Sequence, residues 1–516
     1  MSFRFRPHVS FARKQSRSRP RKLRCEAMEA RRLLTASPNV APTAAPSYWD
    51  IDGLPEPTEA ELGARIVSGF RGELDSSYRA TDFDSAQTAE QTLSEIAADY
   101  WSELFGREVS TELARELGIS SFHYRIGWDG RSLDAFAEVA FSATNENGVV
   151  ADATNIRVPG IDQADFAELI DGQLLVVAHG TEVSLFDVSD PSDITQVNQL
   201  DVGSGFHQFL TSGSQLIVVS STVDPEIVID TARWDIWRNR NWDTKSHVRV
   251  YDISNLNAIR QDSWVEVDGT IQEARLQDGR LMLSTGGRQD LPPVELVPVD
   301  GDEEGQLRFE TQDEYLARVS NGLVASFVGQ IKSLDGDGEV VASEDLGDFG
   351  DLQILDLDDA TWGMRHSTMV MLEVNDGQLA ILDSEVLVGF SQSFGYANEQ
   401  SHFAVNAEWS GTSEIVSLSL SVDEIDYRAQ GQVDGMIRSS HAMDEQDGYL
   451  RVFTTRNIWG AVEQGADVWV LNESDGKLQV VGELKDIADG QGQFGSVFMG
   501  DIAYVTTAEF NFEQMR

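Results

Sequence analysis

The chain has 516 residues and a formal net charge of −47, enough length for a large core or about three ordinary domains. Residues 1–34 hold 11 Lys or Arg against 2 Glu, which is +9, while the remainder holds 28 basic against 84 acidic residues, which is −56. An acidic body of that size repels phosphate backbones and argues against nucleic acid as a partner. It suits a salty or calcium-containing exterior, where cations screen the self-repulsion. Cys25 stands alone, so no intramolecular disulfide forms, and no apolar run approaches the ~18–20 residues of a membrane span.

The basic arm reads either as a segment that binds acidic surfaces or as a targeting signal. Its stretch Leu23-Arg24-Cys25-Glu26-Ala27-Met28-Glu29-Ala30-Arg31-Arg32-Leu33-Leu34 resembles the L-E-x-L-E-x-R-x-L-L segment that opens many large exported proteins of planctomycete bacteria. It departs at Cys25, where that pattern prefers Leu or Phe. The resemblance implies export to the cell surface or beyond. Thr35 to Pro57 is rich in Ala, Pro, Ser and Thr and reads as a linker, so residues 1–57 form one segment.

Residues 58–145 read as a small helical or mixed region. Asp84-Ser85-Ala86-Gln87 predicts a capping box. Leu93, Ile96, Ala97, Tyr100, Leu104 and Phe105 then recur at helical spacing up to Gly106. A shorter helix is expected near Thr111 to Leu117, ending at Gly118. His123 and Tyr124 fall in a β-like stretch.

From residue 146 onward the pattern changes to short apolar runs opened by Gly-containing turns. Asp171-Gly172 precedes Leu174 to Ala178, and His179-Gly180 precedes Val183 to Val188, together predicting a β-hairpin. Gly213 opens Ile217 to Ser220, with Val248 to Ile253 as partner; Tyr251-Asp252-Ile253-Ser254 parallels Phe186-Asp187-Val188-Ser189. Asp278-Gly279 opens a third unit and Asp376-Gly377 a fourth. Phe403-Ala404-Val405 pairs with Ile415 to Leu420, and Asp447-Gly448 precedes a strand paired with Val468 to Leu471. Gly500-Asp501 opens a last one. Self-similarity at roughly 40–50 residues points to propeller blades over residues 146–516 rather than a large sandwich. The fold class is all-β.

Thr154-Asn155-Ile156-Arg157-Val158-Pro159-Gly160-Ile161-Asp162-Gln163-Ala164-Asp165, followed by Asp171-Gly172, is similar to the T-N-x-Q-V-x-G-V-D-E-A-D…D-G stretch of a secreted, distantly WD40-like β-propeller family of bacteria and archaea. Met443-Asp444-Glu445 through Thr454-Thr455 and Val497 to Thr507 extend the match in the same order. Val497 departs from the family's usual Arg. The family pattern continues past Thr507 into further strands, so the resemblance implies a propeller short of its last blades. That reading expects an open arc with exposed sheet edges and self-association through them.

Candidate sites follow residue chemistry. Asp162 and Asp165 could ligate calcium or cap turns. Ser333 to Glu344 partly follows an EF-hand loop, with Asp335, Asp337 and Glu344 at ligand positions and Glu314 to Ile331 as a helix before it; a plain polar turn is the alternative. Trp234, Trp237, Arg238 and Trp242 crowd one insertion and form either a platform for a protein or carbohydrate partner or cross-strand packing. No G-x-S-x-G surrounds a serine and no H-E-x-x-H occurs. The sequence therefore points to an exported, non-enzymatic binding or scaffold propeller. The alternatives are a metal-dependent hydrolase with its site in the central channel and a non-functional truncated remnant.

Overall fold

Five Asp-Gly pairs, at 171–172, 278–279, 376–377, 447–448 and 475–476, hold both residues at φ between +49° and +81°. Two-residue turns of this hand match the right-handed twist of antiparallel strands, so each pair closes a tight hairpin. The computed structural model describes residues 58–508 except 71, 73, 75–77, 119–160, 165–166, 180, 204–205, 223–244, 300–305, 358–363, 408–410, 457–464, 488–491 and 501.

Those hairpins assemble into five four-stranded antiparallel meanders. Blade I is Ala167–Ile170, Leu174–His179, Glu182–Asp187 and Thr195–Asp201. Blade II is Phe206–Ser212, Gln215–Thr222, Lys245–Asp252 and Arg260–Asp268. Blade III is Thr270–Gln277, Arg280–Gln289, Met364–Asn375 and Gln378–Val388. Blade IV is Phe394–Ala397, Ser401–Ala407, Thr412–Leu420 and Ile425–Asp434. Blade V is Met443–Gln446, Tyr449–Arg456, Gly465–Ser474 and Lys477–Leu484, and a hairpin of Gly492–Met499 and Ile502–Ala508 follows it. Strand alternation sends successive side chains to opposite faces, and the cores sit between the blades accordingly. Leu216, Val218 and Tyr251 join the blade I side, whereas Ile217, Val219, Val248 and Val250 join the blade III side. Further apolar seams lie between blades III and IV and between blades IV and V.

Three sequence expectations change. Asp278-Gly279 and Asp376-Gly377 belong to one blade, because residues 290–363 are inserted between its second and third strands. On either side of Ala164, the strand Ile161–Gln163 and the hairpin within residues 167–187 fall on different blades. Ile161–Gln163 pairs along Thr270–Gln277 of blade III, with Asp162 opposite Leu276, before the chain starts blade I. An otherwise open strand edge of blade III takes up those amides and carbonyls. Finally, the first predicted helix cap moves by one residue. Ser85, not Asp84, accepts from Thr88 N at 3.2 Å, and helix α2 (Ala86–Tyr100) stops before the turns that lead to Gly106.

The helices flank blade III. Helix α1 (Glu59–Gly69) starts with a Thr58–Glu61 capping box that the sequence reading did not pick up, and helix α3 is Thr111–Glu116. Leu93, Ile96, Ala97 and Leu104 are buried in the same core as Leu281, Val370 and Val386 of blade III, so the predicted apolar stripe packs as expected. The inserted residues supply α4 (Gln312–Val319) and α5 (Leu323–Val328), where the sequence suggested one helix. Gly322, at φ +98°, separates them. The Glu90 carboxylate of α2 accepts the amides of Gly322, Leu323 and Val324 at 2.9–3.2 Å, which ties the N-terminal helices to the insertion. Tyr78–Ala80 adds an outer strand to the blade III sheet beyond Leu352–Leu357. None of the described helices is long and apolar enough to cross a membrane.

Candidate functional site

The face of blade III that meets blade IV is set by two cross-strand rows. Glu273, Ser284, Met369 and Glu385 lie opposite one another on the four strands, and Arg275, Met282, Met371 and Asp383 form the next row. Directly opposed residues share a face, so this surface has an ionic inner edge, a methionine centre and an acidic outer edge.

At the inner edge Arg275 Nε donates to Glu273, and its Nη2 donates to Gly395 O at 2.7 Å. Gln392 Nε2 donates to Glu273 Oε2 at 3.0 Å, and Ser284 Oγ donates to Gln392 Oε1 at 2.7 Å. Each charge is thus paired and hydrogen-bonded, as buried ions require. His402, 1% exposed, sits 4.0 Å from Glu273 Oε2. Burial holds its imidazole down at about 4, with Arg275 pushing the same way against Glu273, so it is neutral. A side chain on Gly395 would come within 2.6 Å of both Glu273 and His402, so only glycine fits between them.

The outer edge has the opposite character. Burial pushes the Glu385 carboxyl up to about 9, and Asp351, Asp383 and Asp426 add to the rise. Asp383 and Asp351 are also raised, chiefly by burial. Asp383 Oδ2 accepts from Ile425 N of blade IV at 2.6 Å, so it also ties the two blades together.

Where the seam reaches the turns it opens into a cleft of about 420 Å³. Met282, Met371 and Leu420 line it together with Asp278, Arg280, Glu399, Gln400 and Ser421. Asp278 begins the Asp-Gly turn of blade III and Arg280 follows it, while Glu399 and Gln400 belong to the first turn of blade IV. An apolar floor with charged groups at a rigid rim is the usual construction of a recognition pocket.

The predicted site residues fall elsewhere. Asp335 and Asp337 lie in the turn of a β-hairpin, Gln330–Leu334 with Val340–Asp345, which extends blade II. Asp335 Oδ1 accepts the amides of Asp337 and Glu339, each at 2.9 Å. Glu344 is paired opposite Ile331 on a strand, Val340–Asp345, that is exposed along its length, so residues 333–344 form a hairpin. Asp162 lies on blade III. Asp165 and the Trp234, Trp237, Arg238, Trp242 cluster lie outside the described residues, as do His123 and Tyr124. Among the described residues no group of three or more His, Cys, Asp or Glu side chains converges as a metal site. The cleft residues escaped the sequence reading because they come together only across two blades; the Asp278-Gly279 turn was the one signal that touched them.

The beta propeller domain family matches residues 152–510. This chain belongs to that family. An uncharacterized protein of Methanocaldococcus jannaschii is 39% identical over 77 residues, 15% of this chain and 12% of the relative's length. Among solved structures, the chain is similar to a candidate 6-phosphogluconolactonase of Bacteroides fragilis, 11% identical, covering 61% of this chain and 82% of that one at a TM-score of 0.23. A hypothetical selenium-binding protein of Sulfolobus tokodaii is 10% identical, with coverages of 61% and 76% and a TM-score of 0.21. Scores at that level carry no argument about the activity of this beta propeller.

Proposed function

We propose that this beta propeller is an exported binding module that recognises a protein partner through a basic side chain seated in the cleft between blades III and IV. The observation that carries the reading is the cleft's composition. Met282, Met371 and Leu420 offer a floor for an aliphatic stem, and among the charged lining residues the Asp278 and Glu399 carboxylates outnumber the Arg280 guanidinium, which favours a cationic head. The acidic body, −56 outside the basic arm, steers cationic partners toward the surface. Export rests on the resemblance of residues 23–34 to a planctomycete export segment, and cell fractionation of the native organism tests it.

Binding is tested with the full chain against a panel of Lys- and Arg-containing peptides and a panel of neutral oligosaccharides. Saturable, salt-sensitive peptide binding without turnover is expected, weakened about tenfold or more by Glu399→Lys, a change at an exposed rim position. Binding of oligosaccharides alone, or peptide affinity indifferent to Glu399→Lys, overturns the reading.

A further inference from the structure

The Asp-Gly turn of blade III is followed by an arginine whose charge the seam leaves unused. Arg280 stands opposite Gln277 across the turn and opposite Glu373 on the neighbouring strand. These side chains form the row next to Arg275, Met282, Met371 and Asp383, on the face toward blade IV. Arg280 lines the cleft together with Gln277, Asp278 and Glu399. It is half-buried, yet its guanidinium makes no ion pair or hydrogen bond with Asp278, Glu399, Glu373 or any other described residue. Arg275, in the adjoining row, is by contrast engaged by both Glu273 and Gly395 O. The side chains of Asp278 and Glu399 likewise have no partner among the described residues. An arginine keeps its charge in proteins, so the cleft holds one cation and two anions that are not spent on one another.

The cleft also exceeds what a lone basic side chain fills. Its volume of about 420 Å³ lies among those of pockets that enclose a whole small ligand. A basic residue inside a chain would bring a second cation beside Arg280 and leave the guanidinium donors without an acceptor. A basic residue at a chain end brings its own carboxylate. The planar guanidinium fork matches a carboxylate bidentately, and capture of a terminal carboxylate is a recurrent mode of peptide recognition. Gln277, whose side-chain amide has no partner among the described residues, stands beside Arg280 and offers a donor and an acceptor to the last peptide bond.

We propose that the cleft between blades III and IV reads a C-terminal basic residue, whose free α-carboxylate pairs with Arg280 while its side chain pairs with Asp278 and Glu399. The assignment rests on the basic-side-chain reading of the cleft and adds the chain end as the feature recognised. Lysines and arginines inside a partner's chain are then passed over, and a protein or fragment that ends in one is selected.

Calorimetric titration of the full chain with one short peptide ending in Lys tests it, as the free acid and as the C-terminal amide. The acid is expected to bind at least tenfold tighter. The negative field of the body, −56 outside the basic arm, favours the more cationic amide, so tighter binding of the acid does not come from steering. The same peptide with a Gly-Gly extension moves the carboxylate away from the Lys and is expected to bind like the amide. Arg280→Gln is expected to weaken the acid at least tenfold and to bring acid and amide within about twofold of each other. Equal affinity for acid and amide in the wild type overturns this assignment alone and leaves the basic-side-chain reading standing. A preference for the acid that persists in Arg280→Gln also overturns it, and binding of neither form overturns both readings. If Arg280→Gln does not fold, the comparison of acid, amide and extended peptide on the wild type decides.

Discussion

The seam between blades I and II and the seam between blades III and IV solve the burial of polar groups in opposite ways. The first encloses the Arg249 guanidinium, whose Nη1 has no hydrogen-bond partner among the described residues. The second encloses acceptors: Glu385 is 4% exposed and its Oε1 has no hydrogen-bond partner among the described residues, while the Glu273–Arg275 pair at the other edge is fully engaged. A buried cation is not removed by a modest change of pH, because arginine does not titrate in the accessible range. A buried carboxyl can take up a proton and become neutral. One seam therefore keeps a charge against the Asp201 carboxylate, and the other can neutralise its charge with a proton.

The largest effect expected from breaking this contrast is at the paired edge. Arg275→Met leaves Glu273 charged and enclosed, and is expected to lower stability by about 3–5 kcal/mol. The double variant Glu273→Gln with Arg275→Met is expected to recover most of that loss in urea unfolding, since neither charge is then stranded. A single variant no less stable than the wild type would remove the paired edge from the account.

Next in size is the packing of the N-terminal helices on blade III. Ile96 is fully buried beside Leu93 and Leu104. Ile96→Ala is expected to cost about 2–5 kcal/mol, measured by chemical denaturation. If the loss were only a few tenths, the helices would be an appendage and not part of the blade III core.

The acidic edge makes a signed prediction. Glu385 has its folded pKa raised to about 9 from 4.5, so between those values the folded state holds a proton that the unfolded state has lost. Stability from this group is full below about pH 4.5 and is lost as pH rises toward 9, with a slope of about 1.4 kcal/mol per pH unit at most. Glu385→Gln is expected to flatten that decline, seen as a smaller fall in Tm between pH 5 and 9 than in the wild type. An identical pH profile in the two proteins would mean that Glu385 ionises freely. The smallest effect is expected for Ser85→Ala, about 1 kcal/mol from loss of the α2 cap, read in the same unfolding experiment.

What the sequence made legible was local. Asp-Gly turns need two residues at positive φ, and that requirement is written in the residue types themselves. The Asp187-Val188-Ser189 and Asp252-Ile253-Ser254 parallels were legible too. In both, the Asp Oδ1 accepts the amide of the Ser two residues on, at 2.9 and 3.0 Å. Blade counting failed where residues 290–363 interrupt blade III, because spacing alone cannot tell an inserted subregion from a new repeat. Where the sequence resembled an EF-hand loop, Asp335 sits in a hairpin turn and its Oδ1 accepts the amides of Asp337 and Glu339, a short-range pattern that spacing alone does not distinguish from a cation loop. The cleft and both polar seams were illegible, since Met282, Met371 and Leu420, or Arg249 and Asp201, meet only after the blades stack.

Hydrogen exchange of the full chain, free and bound to the tightest-binding basic peptide, tests the proposed recognition most directly. The account predicts protection confined to residues 277–282, 399–401 and 420–425 around the cleft between blades III and IV. Protection centred instead on the insertion at 223–244 or on the seam between blades I and II would contradict it.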